Sequence, residues 1–186
     1  MVFSSHIFIF YFLALILGAY YFSPGRLKHL VLTLGSYLFY AWWNPWFVLL
    51  MIASTVIDFL CGKIIFNSSP KKPQRKIGLL ISIAANLSIL GFFKYGNFFA
   101  ENVSILARSI GLGEIALPEF FNKIILPIGI SFYTFQSMSY TIDIYRKKAL
   151  PAENFLTFAC YVSMFPQLVA GPIVRYSDIA KQLKNR

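Results

Sequence analysis

The sequence predicts an all-α integral membrane protein with about six helices embedded in the bilayer. Of its 186 residues, 58% are hydrophobic and 13% are charged, whereas soluble domains carry about 25% charged residues. The charged residues also lie in short gaps between long apolar runs, so a soluble fold would lack a polar surface. The net charge of +10 does not indicate nucleic-acid binding, because the basic residues are not clustered on one solvated domain.

Six apolar runs approach or reach the roughly 20 residues that a membrane-spanning helix needs. They cover residues 7–22, 30–43, 46–66, 77–99, 127–144 and 155–174. No Lys or Arg precedes the first run, so we expect it to be a retained helix rather than a cleaved signal peptide. Residues 101–123 are mixed in character and predict an irregular or interfacial connection. We therefore expect residues 1–186 to form a single transmembrane domain.

The basic residues orient these runs. The loops after the first, third and fifth runs, with the end of the third run, hold ten of them: Arg26, Lys28, Lys63, Lys71, Lys72, Arg75, Lys76, Arg146, Lys147 and Lys148. The other side has three, which are offset by three glutamates. Because cytoplasmic loops are enriched in Lys and Arg, the pattern predicts a multi-pass protein with its amino terminus outside.

Asp58 lies inside the third run. An ionisable residue in a span is costly and is a candidate functional residue. The simpler interpretation, which we favour, is that Asp58 lies near the cytoplasmic end, close to Lys63, and is paired or hydrated.

The fifth run has a polar stripe. Its members recur at helical spacing and are Tyr133, Gln136, Ser137, Tyr140 and Thr141. Such a stripe faces other helices or a water-filled cavity, so either interhelical hydrogen bonds or a polar substrate path would explain it. Pro127 predicts that this helix starts there, since proline suits the first helical turn.

The end of the sixth run contains Pro166, Gly171 and Pro172, which predict a helix break at membrane depth. Irregular backbone at that depth is tolerated only inside protein or beside a water-filled cavity. Gln167 and Arg175 flank the break. Arg175 either donates to an acyl carbonyl, a carboxylate or a phosphate, or anchors the helix end among the lipid headgroups.

Other reactive residue types form no recognisable catalytic or metal-binding pattern. His6 and His29 are expected to be interfacial polar residues, and Cys61 and Cys160 are expected to be buried small hydrophobic residues without metal-site spacing.

Several segments resemble the membrane-bound O-acyltransferase family. LPIGISFYTFQ at 126–136 and DIYR at 143–146 are similar to one signature, and FPQ at 165–167, AGPI at 170–173 and RY at 175–176 to the next. YLFYAW at 37–42 and GFFKY at 91–95 add to the resemblance, which covers essentially the whole chain. The most similar branch is the bacterial one that holds the alginate O-acetylation protein and the D-alanyl transfer protein of teichoic acids.

The resemblance implies a polytopic acyltransferase of the bacterial cytoplasmic (inner) membrane. In this family an acetyl or other acyl group passes from a cytoplasmic donor, such as acetyl-CoA or an acyl-carrier thioester, through a funnel across the membrane. It reaches an extracytoplasmic polysaccharide such as alginate, usually through a periplasmic or extracellular partner protein. No bound cofactor, metal or nucleic acid is expected, and the lipid bilayer is the other partner. The expected funnel-lining residues are Tyr133, Gln136, Tyr140, Gln167 and Arg175.

The family's essential histidine lies in a later span, beyond the point where this sequence ends at Arg186. The chain is therefore expected to form the amino-terminal part of an incomplete acyltransferase fold, to contain no catalytic residue and to be inactive alone. Two alternatives stay open at this point: a non-enzymatic membrane protein such as a transporter component, and an inert gene remnant.

Overall fold

The computed structural model describes residues 5–70, 72–111, 125–172 and 174–184. In these ranges all regular secondary structure is helical and no strand occurs, which confirms the all-α class. The helices are α1 (Ile7–Phe22, whose first part Ile7–Leu13 is a π-helix), α2 (Lys28–Ala41), α3 (Pro45–Asn67), α4 (Pro73–Ser109), α5 (Ile130–Tyr145), α6 (Phe155–Ser163), α7 (Phe165–Ala170) and α8 (Tyr176–Lys184).

Two of these helices, α3 with 23 residues and α4 with 37, are long and apolar enough to cross a membrane. The other apolar runs are also helical but shorter. At 1.5 Å per residue, the 14 residues of α2 extend only about 21 Å, less than the roughly 30 Å hydrocarbon core. Six spans thus stay a prediction, while helices throughout the described residues, two of them candidate spans, are observed.

The fourth helix is longer than the sequence indicated. Residues 101–109 were expected to begin an irregular or interfacial segment, but they continue α4 without a break. The reason is local, because the stretch after Ala100 holds no glycine or proline until Gly111, which adopts φ +78°. Residues 112–123, the rest of that expected segment, lie outside the described part of the chain.

The fifth helix starts later than Pro127. Gly129 adopts a left-handed conformation, with φ +74°, and precedes the first helical residue, Ile130. A Cβ atom at Gly129 would lie 2.7 Å from the carbonyl oxygen of Leu168, so this glycine also allows α5 to approach α7. The expected start at Pro127 is therefore wrong, because a left-handed residue cannot belong to a right-handed helix.

Helix α5 occupies the middle of the bundle. It packs against α3 and α4 on one side and against α6, α7 and α8 on the other. The core around it includes Met51, Ile65, Phe158 and Leu168, none of which is exposed. A second apolar cluster, formed by Phe8, Phe12, Phe39 and Phe165, joins α1 and α2 to the start of α7.

The carboxyl end of α5 is held by a basic residue in the first turn of α4. Arg75 donates to the main-chain oxygen of Tyr145, and its guanidinium lies 5.2 Å from the centroid of the Tyr145 ring. A cation there complements the partial negative charge of the helix end. Lys147, in a left-handed conformation with φ 59°, closes α5, and the amide of Lys148 donates to the carbonyl of Asp143 at 2.8 Å.

Candidate functional site

The polar stripe of α5 faces the protein interior. All five of its side chains are buried, with exposed fractions of 0% to 2%: Tyr133, Gln136, Ser137, Tyr140 and Thr141. Phe135 of the same helix is by contrast 43% exposed. Three of its members make interhelical hydrogen bonds, on two sides of α5, which confirms the interpretation of interhelical bonding for Gln136, Ser137 and Thr141.

On one side, Gln136 joins α5 to α6 and α7. Its Nε2 donates to the main-chain oxygen of Tyr161 at 2.7 Å and to Oε1 of Gln167 at 2.9 Å. The hydroxyl of Tyr161 lies 3.2 Å from Oγ of Ser139 and donates to the carbonyl of Val174 at 2.8 Å. We call Gln136, Ser139, Tyr161 and Gln167 the glutamine junction.

The helix break lies within this junction. Helix α6 ends at Ser163, Met164 leaves the helical conformation with ψ 107°, and α7 then begins with Pro166 in its first turn. Gly171 and Pro172 follow α7 as non-helical residues. In a continuous helix the main-chain oxygen of Tyr161 would accept from the amide four residues further on. Because α6 ends before that residue, the oxygen accepts from Gln136 instead.

Helix α8 is attached to α5 by its amino-terminal amides. The amide of Tyr176 donates to Oγ of Ser139 and that of Ser177 to Oδ2 of Asp143, both at 3.3 Å. The first amides of a helix lack intrahelical partners and favour a negative charge nearby. Two side chains of α5 supply these partners and so fix where α8 begins.

A cavity of about 710 Å³ opens beside the start of α8. It is formed by the loop before α2, the loop between α5 and α6, and α8. Its lining residues are Gly25, His29, Lys148, Ala149, Leu150, Pro151, Ala152, Glu153, Asn154, Thr157, Tyr176, Ser177, Ala180 and Leu183.

None of the predicted funnel-lining residues lines this cavity, and Tyr140 lies directly behind its wall. The Tyr176 ring, which lines the cavity, is 4.7 Å from the Tyr140 ring and 5.4 Å from the Tyr161 ring, centroid to centroid. Tyr133 is fully buried as well, and its hydroxyl, like that of Tyr140, has no hydrogen-bond partner among the described residues. One aromatic layer therefore separates the cavity from the glutamine junction.

Arg175 is exposed and stands between Pro172 and α8. Its main-chain oxygen accepts from the amide of Asp178 at 3.1 Å, which fixes the backbone at the start of α8. Its proposed contact with an acyl or phosphate group stays a prediction.

On the opposite side of α5, Asp58 forms a second polar group. Its Oδ1 accepts from Ser82 Oγ at 2.6 Å, its two oxygens accept from Asn86 Nδ2 at 2.9 and 2.8 Å, and its Oδ2 accepts from Ser137. Oγ of Ser82 lies 2.8 Å from Oγ1 of Thr141. We call these five residues the Asp58 cluster.

The expectation that Asp58 is hydrated or paired with Lys63 is wrong. Asp58 is 0% exposed and lies about 20 Å along α3 from Pro45. The ammonium group of Lys63 instead lies 4.4 Å from the centroid of the Phe59 ring. Helical geometry separates Lys63 from Asp58 by five residues, so the two side chains leave α3 on different faces.

Sequence reasoning missed Ser82 and Asn86. A signal was present, because Gly78, Ser82 and Asn86 follow one another at intervals of four and are all buried on one face of α4. Small and polar residues on one helix face are typical of helix–helix contacts in membranes. Together with the polar Asp58 on α3, this stripe would have indicated a contact between α3 and α4.

Histidine, cysteine and acidic residues suggest no metal centre in the described ranges, where no three of them come together. His29 lines the cavity, and both Cys61 and Cys160 are buried, as expected, and form no disulfide.

Comparison with known proteins gives relatives over the whole chain. The chain is 41% identical over all 186 residues to a protein of Pseudomonas syringae named probable alginate O-acetylase, and 40% identical to the protein of that name from Pseudomonas aeruginosa. Each alignment covers 35% of the relative. A peptidoglycan O-acetyltransferase of Helicobacter pylori is 33% identical, again over the whole chain and over 39% of that protein. The chain thus spans about a third of the length of these curated relatives.

No family model matches the sequence, and no solved structure matches it.

Proposed function

We propose, on the premise that this chain belongs to the membrane-bound O-acyltransferase family in its O-acetylase branch, that it forms the front part of an acetyl-transfer path across the bacterial cytoplasmic membrane. The observation that carries the proposal is identity of about 40% over all 186 residues to alginate O-acetylases. The relatives' names supply the reaction type, an ester formed on a polysaccharide. The acceptor is an extracytoplasmic polysaccharide, with alginate as the first candidate.

The basic loops support an orientation with the amino terminus outside. Lys148 follows α5 in one of these loops and lines the cavity, so the cavity opens on the proposed cytoplasmic side. Its size of about 710 Å³ lies within the roughly 300–1,000 Å³ of small-molecule sites. The donor is an acyl thioester with a phosphate-bearing arm, for which Lys148 offers a positive charge and Asn154 and Ser177 offer polar groups.

The glutamine junction supports the inner part of the path. Behind Tyr176, the broken helices α6 and α7 leave Gln167 only half-buried, and its Oε1 is bound by Gln136. A carbonyl group passing this point would find amide groups rather than lipid. Dry surroundings here protect a thioester or acetyl ester from water.

No group in this chain is proposed to activate the acceptor hydroxyl. The reaction needs a group that takes the hydroxyl proton as the acetyl carbon is transferred from sulfur to oxygen. By resemblance this is a histidine in a span beyond the 186 residues, and His6 and His29 are not assigned to it. The partner protein that passes the acetyl group to the polymer is also outside this chain.

Deletion of the gene tests the reaction. We expect the O-acetyl content of the cell's exopolysaccharide, measured by ¹H NMR of the purified polymer, to fall at least tenfold and to return when the gene of full encoded length is restored. Unchanged acetylation of exopolysaccharide and peptidoglycan after deletion would contradict the proposal and favour a transporter component or a remnant.

Alanine variants test the path in the restored gene. Gln136→Ala, Gln167→Ala and Arg175→Ala should each reduce acetylation severalfold at equal protein level in the membrane. Gln182→Ala is the matched control, because Gln182 is exposed on α8 and should leave acetylation unchanged. Full acetylation in all three test variants would sink these residue assignments.

A further inference from the structure

The Asp58 cluster is an unusual concentration of polar groups for the interior of a membrane protein. Its five side chains come from α3, α4 and α5, and each is at most 1% exposed: Asp58, Ser82, Asn86, Ser137 and Thr141. Polar and ionisable groups at such depth are expensive, and they often mark ion or proton sites.

The negative charge of Asp58 has no positive partner among the described residues. Each of its hydrogen bonds comes from a hydroxyl or an amide, and Lys63 lies against the Phe59 ring. An isolated carboxylate in a medium of low dielectric constant costs several kcal/mol unless a cation compensates it. An ionised Asp58 would therefore leave the cluster with one uncompensated negative charge, which either a bound proton or a bound cation removes.

The cluster also presents oxygen atoms in excess. Besides the two carboxylate oxygens, Ser82, Ser137 and Thr141 contribute hydroxyl oxygens, each with two lone pairs. Oδ1 of Asn86 is buried without a hydrogen-bond partner, while its Nδ2 is within reach of three acceptors. Turning this amide over exchanges two groups of nearly equal shape and brings Oδ1 to the carboxylate, as a bound cation would require.

We propose that the Asp58 cluster binds one monovalent cation, with Na⁺ as the first candidate. Six oxygen atoms from five side chains suit a hard cation, which prefers oxygen ligands. A single carboxylate neutralises a single positive charge, whereas a divalent ion would leave a net charge in the bilayer. When the ion binds, the hydroxyl hydrogens turn away from it. The oxygen atoms, which lie at hydrogen-bond distance without the ion, move slightly apart to admit it.

A bound ion would link three helices, so the stability of their packing would depend on the ion. Asp58 lies on α3, Ser82 and Asn86 on α4, and Ser137 and Thr141 on α5, so a bound ion stabilises the folded protein by mass action. This inference does not rest on the acetyl-transfer proposal, because it concerns the contacts of α5 on the side away from the glutamine junction.

The test is thermal unfolding of the protein of full encoded length, purified in detergent, at equal ionic strength in NaCl, KCl and choline chloride. We expect the Tm in NaCl to exceed that in choline chloride by about 1–2 °C at ten times the dissociation constant. Binding of ²²Na⁺ should saturate at one ion per chain. A K⁺ response equal to that of Na⁺ also supports a monovalent site, whereas equal Tm in all three salts overturns it.

Variants locate the response. Asp58→Asn should abolish the difference between NaCl and choline chloride, and Thr141→Val should reduce it by at least half while keeping the carboxylate. Ser139→Ala is the matched control, because Ser139 is a serine of the same helix that bonds towards α6 and α8, and its variant should keep the response. If Asp58→Asn does not fold, Thr141→Val decides: a full Na⁺ response there means that the cluster only joins helices, and the proposal fails.

Discussion

The polar side chains on the two sides of α5 have different roles. Towards α3 and α4, the Asp58 cluster joins three continuous helices, is closed to solvent and holds a carboxylate. Towards α6 and α7, the glutamine junction is neutral, joins helices that are broken at Met164 and Gly171, and lies one aromatic layer from a cavity. We infer that the Asp58 cluster stabilises the packing of continuous helices. The broken helices beside the cavity belong to the proposed acetyl-transfer path. The following substitutions test that division, from the largest expected effect to the smallest.

Asp58→Ala should have the largest effect on stability. It leaves the donors of Ser82, Asn86 and Ser137 buried without their acceptor, and unpaired buried groups cost about 1–3 kcal/mol each. Because hydrogen bonds within membranes contribute less than this on average, we expect a total loss of about 2–4 kcal/mol. Unfolding in SDS at constant lipid content measures it, with Asp178→Ala as a control that should change little, because Asp178 is exposed. A loss in the free energy of unfolding below about 0.5 kcal/mol would contradict the stabilising role of the Asp58 cluster.

Gly129→Ala should destabilise the broken side by about 2 kcal/mol. The added Cβ would meet the Leu168 carbonyl oxygen at 2.7 Å, and the φ of +74° is unfavourable for alanine. The same measurement on Gly91→Ala gives a contrast, since a Cβ at Gly91 meets nothing within 4 Å. That control should be neutral or more stable by about 0.5–1 kcal/mol, because alanine is the better helix former. Equal effects of the two substitutions would refute the close approach at Gly129.

Gln136→Leu should cost only about 1 kcal/mol in stability, because it removes two neutral hydrogen bonds. The SDS unfolding curve should shift by less than half the shift of Asp58→Ala. If Gln136→Leu proves as destabilising as Asp58→Ala, the glutamine junction also stabilises the helix packing, and the two sides of α5 do not differ in role.

Lys147→Gly should give the smallest change, a gain of about 0.5–1 kcal/mol. Lys147 closes α5 in a left-handed conformation, which glycine adopts without strain. Lys148→Gly is the comparison and should not stabilise, since Lys148 does not have a positive φ. A stabilised Lys148→Gly with an unchanged Lys147→Gly would contradict the assignment of the helix end.

The sequence indicated the helices and the stripe because both follow local periodicity. Polar residues three and four apart on α5 needed no partner to be recognised, and the prolines and glycines near residue 170 marked the broken end. The start of α5 was misplaced because Pro127 suits a first turn, whereas the close approach of Gly129 to Leu168 is a tertiary effect that local rules do not contain.

Partners across helices were harder to predict, because a stripe on one helix does not say which helix it faces. Asp58 meets Ser82 and Asn86 because α3 and α4 form a packed pair, and nothing in the neighbourhood of Asp58 distinguishes these donors from Lys63. The cavity is likewise built from segments that lie as far apart in sequence as Gly25 and Leu183. Only the packed arrangement reveals which side of α5 is closed and which is next to a cavity.

One comparison tests the central claim most directly: acetyl transfer per folded molecule in Gln136→Ala and in Thr141→Val, each in the protein of full encoded length. Both residues are buried polar members of the α5 stripe, on opposite sides of the helix. We expect Gln136→Ala to lower O-acetylation of the exopolysaccharide at least fivefold at equal folded protein, and Thr141→Val to change it less than twofold. Equal losses in the two variants, or a loss confined to Thr141→Val, would contradict the account.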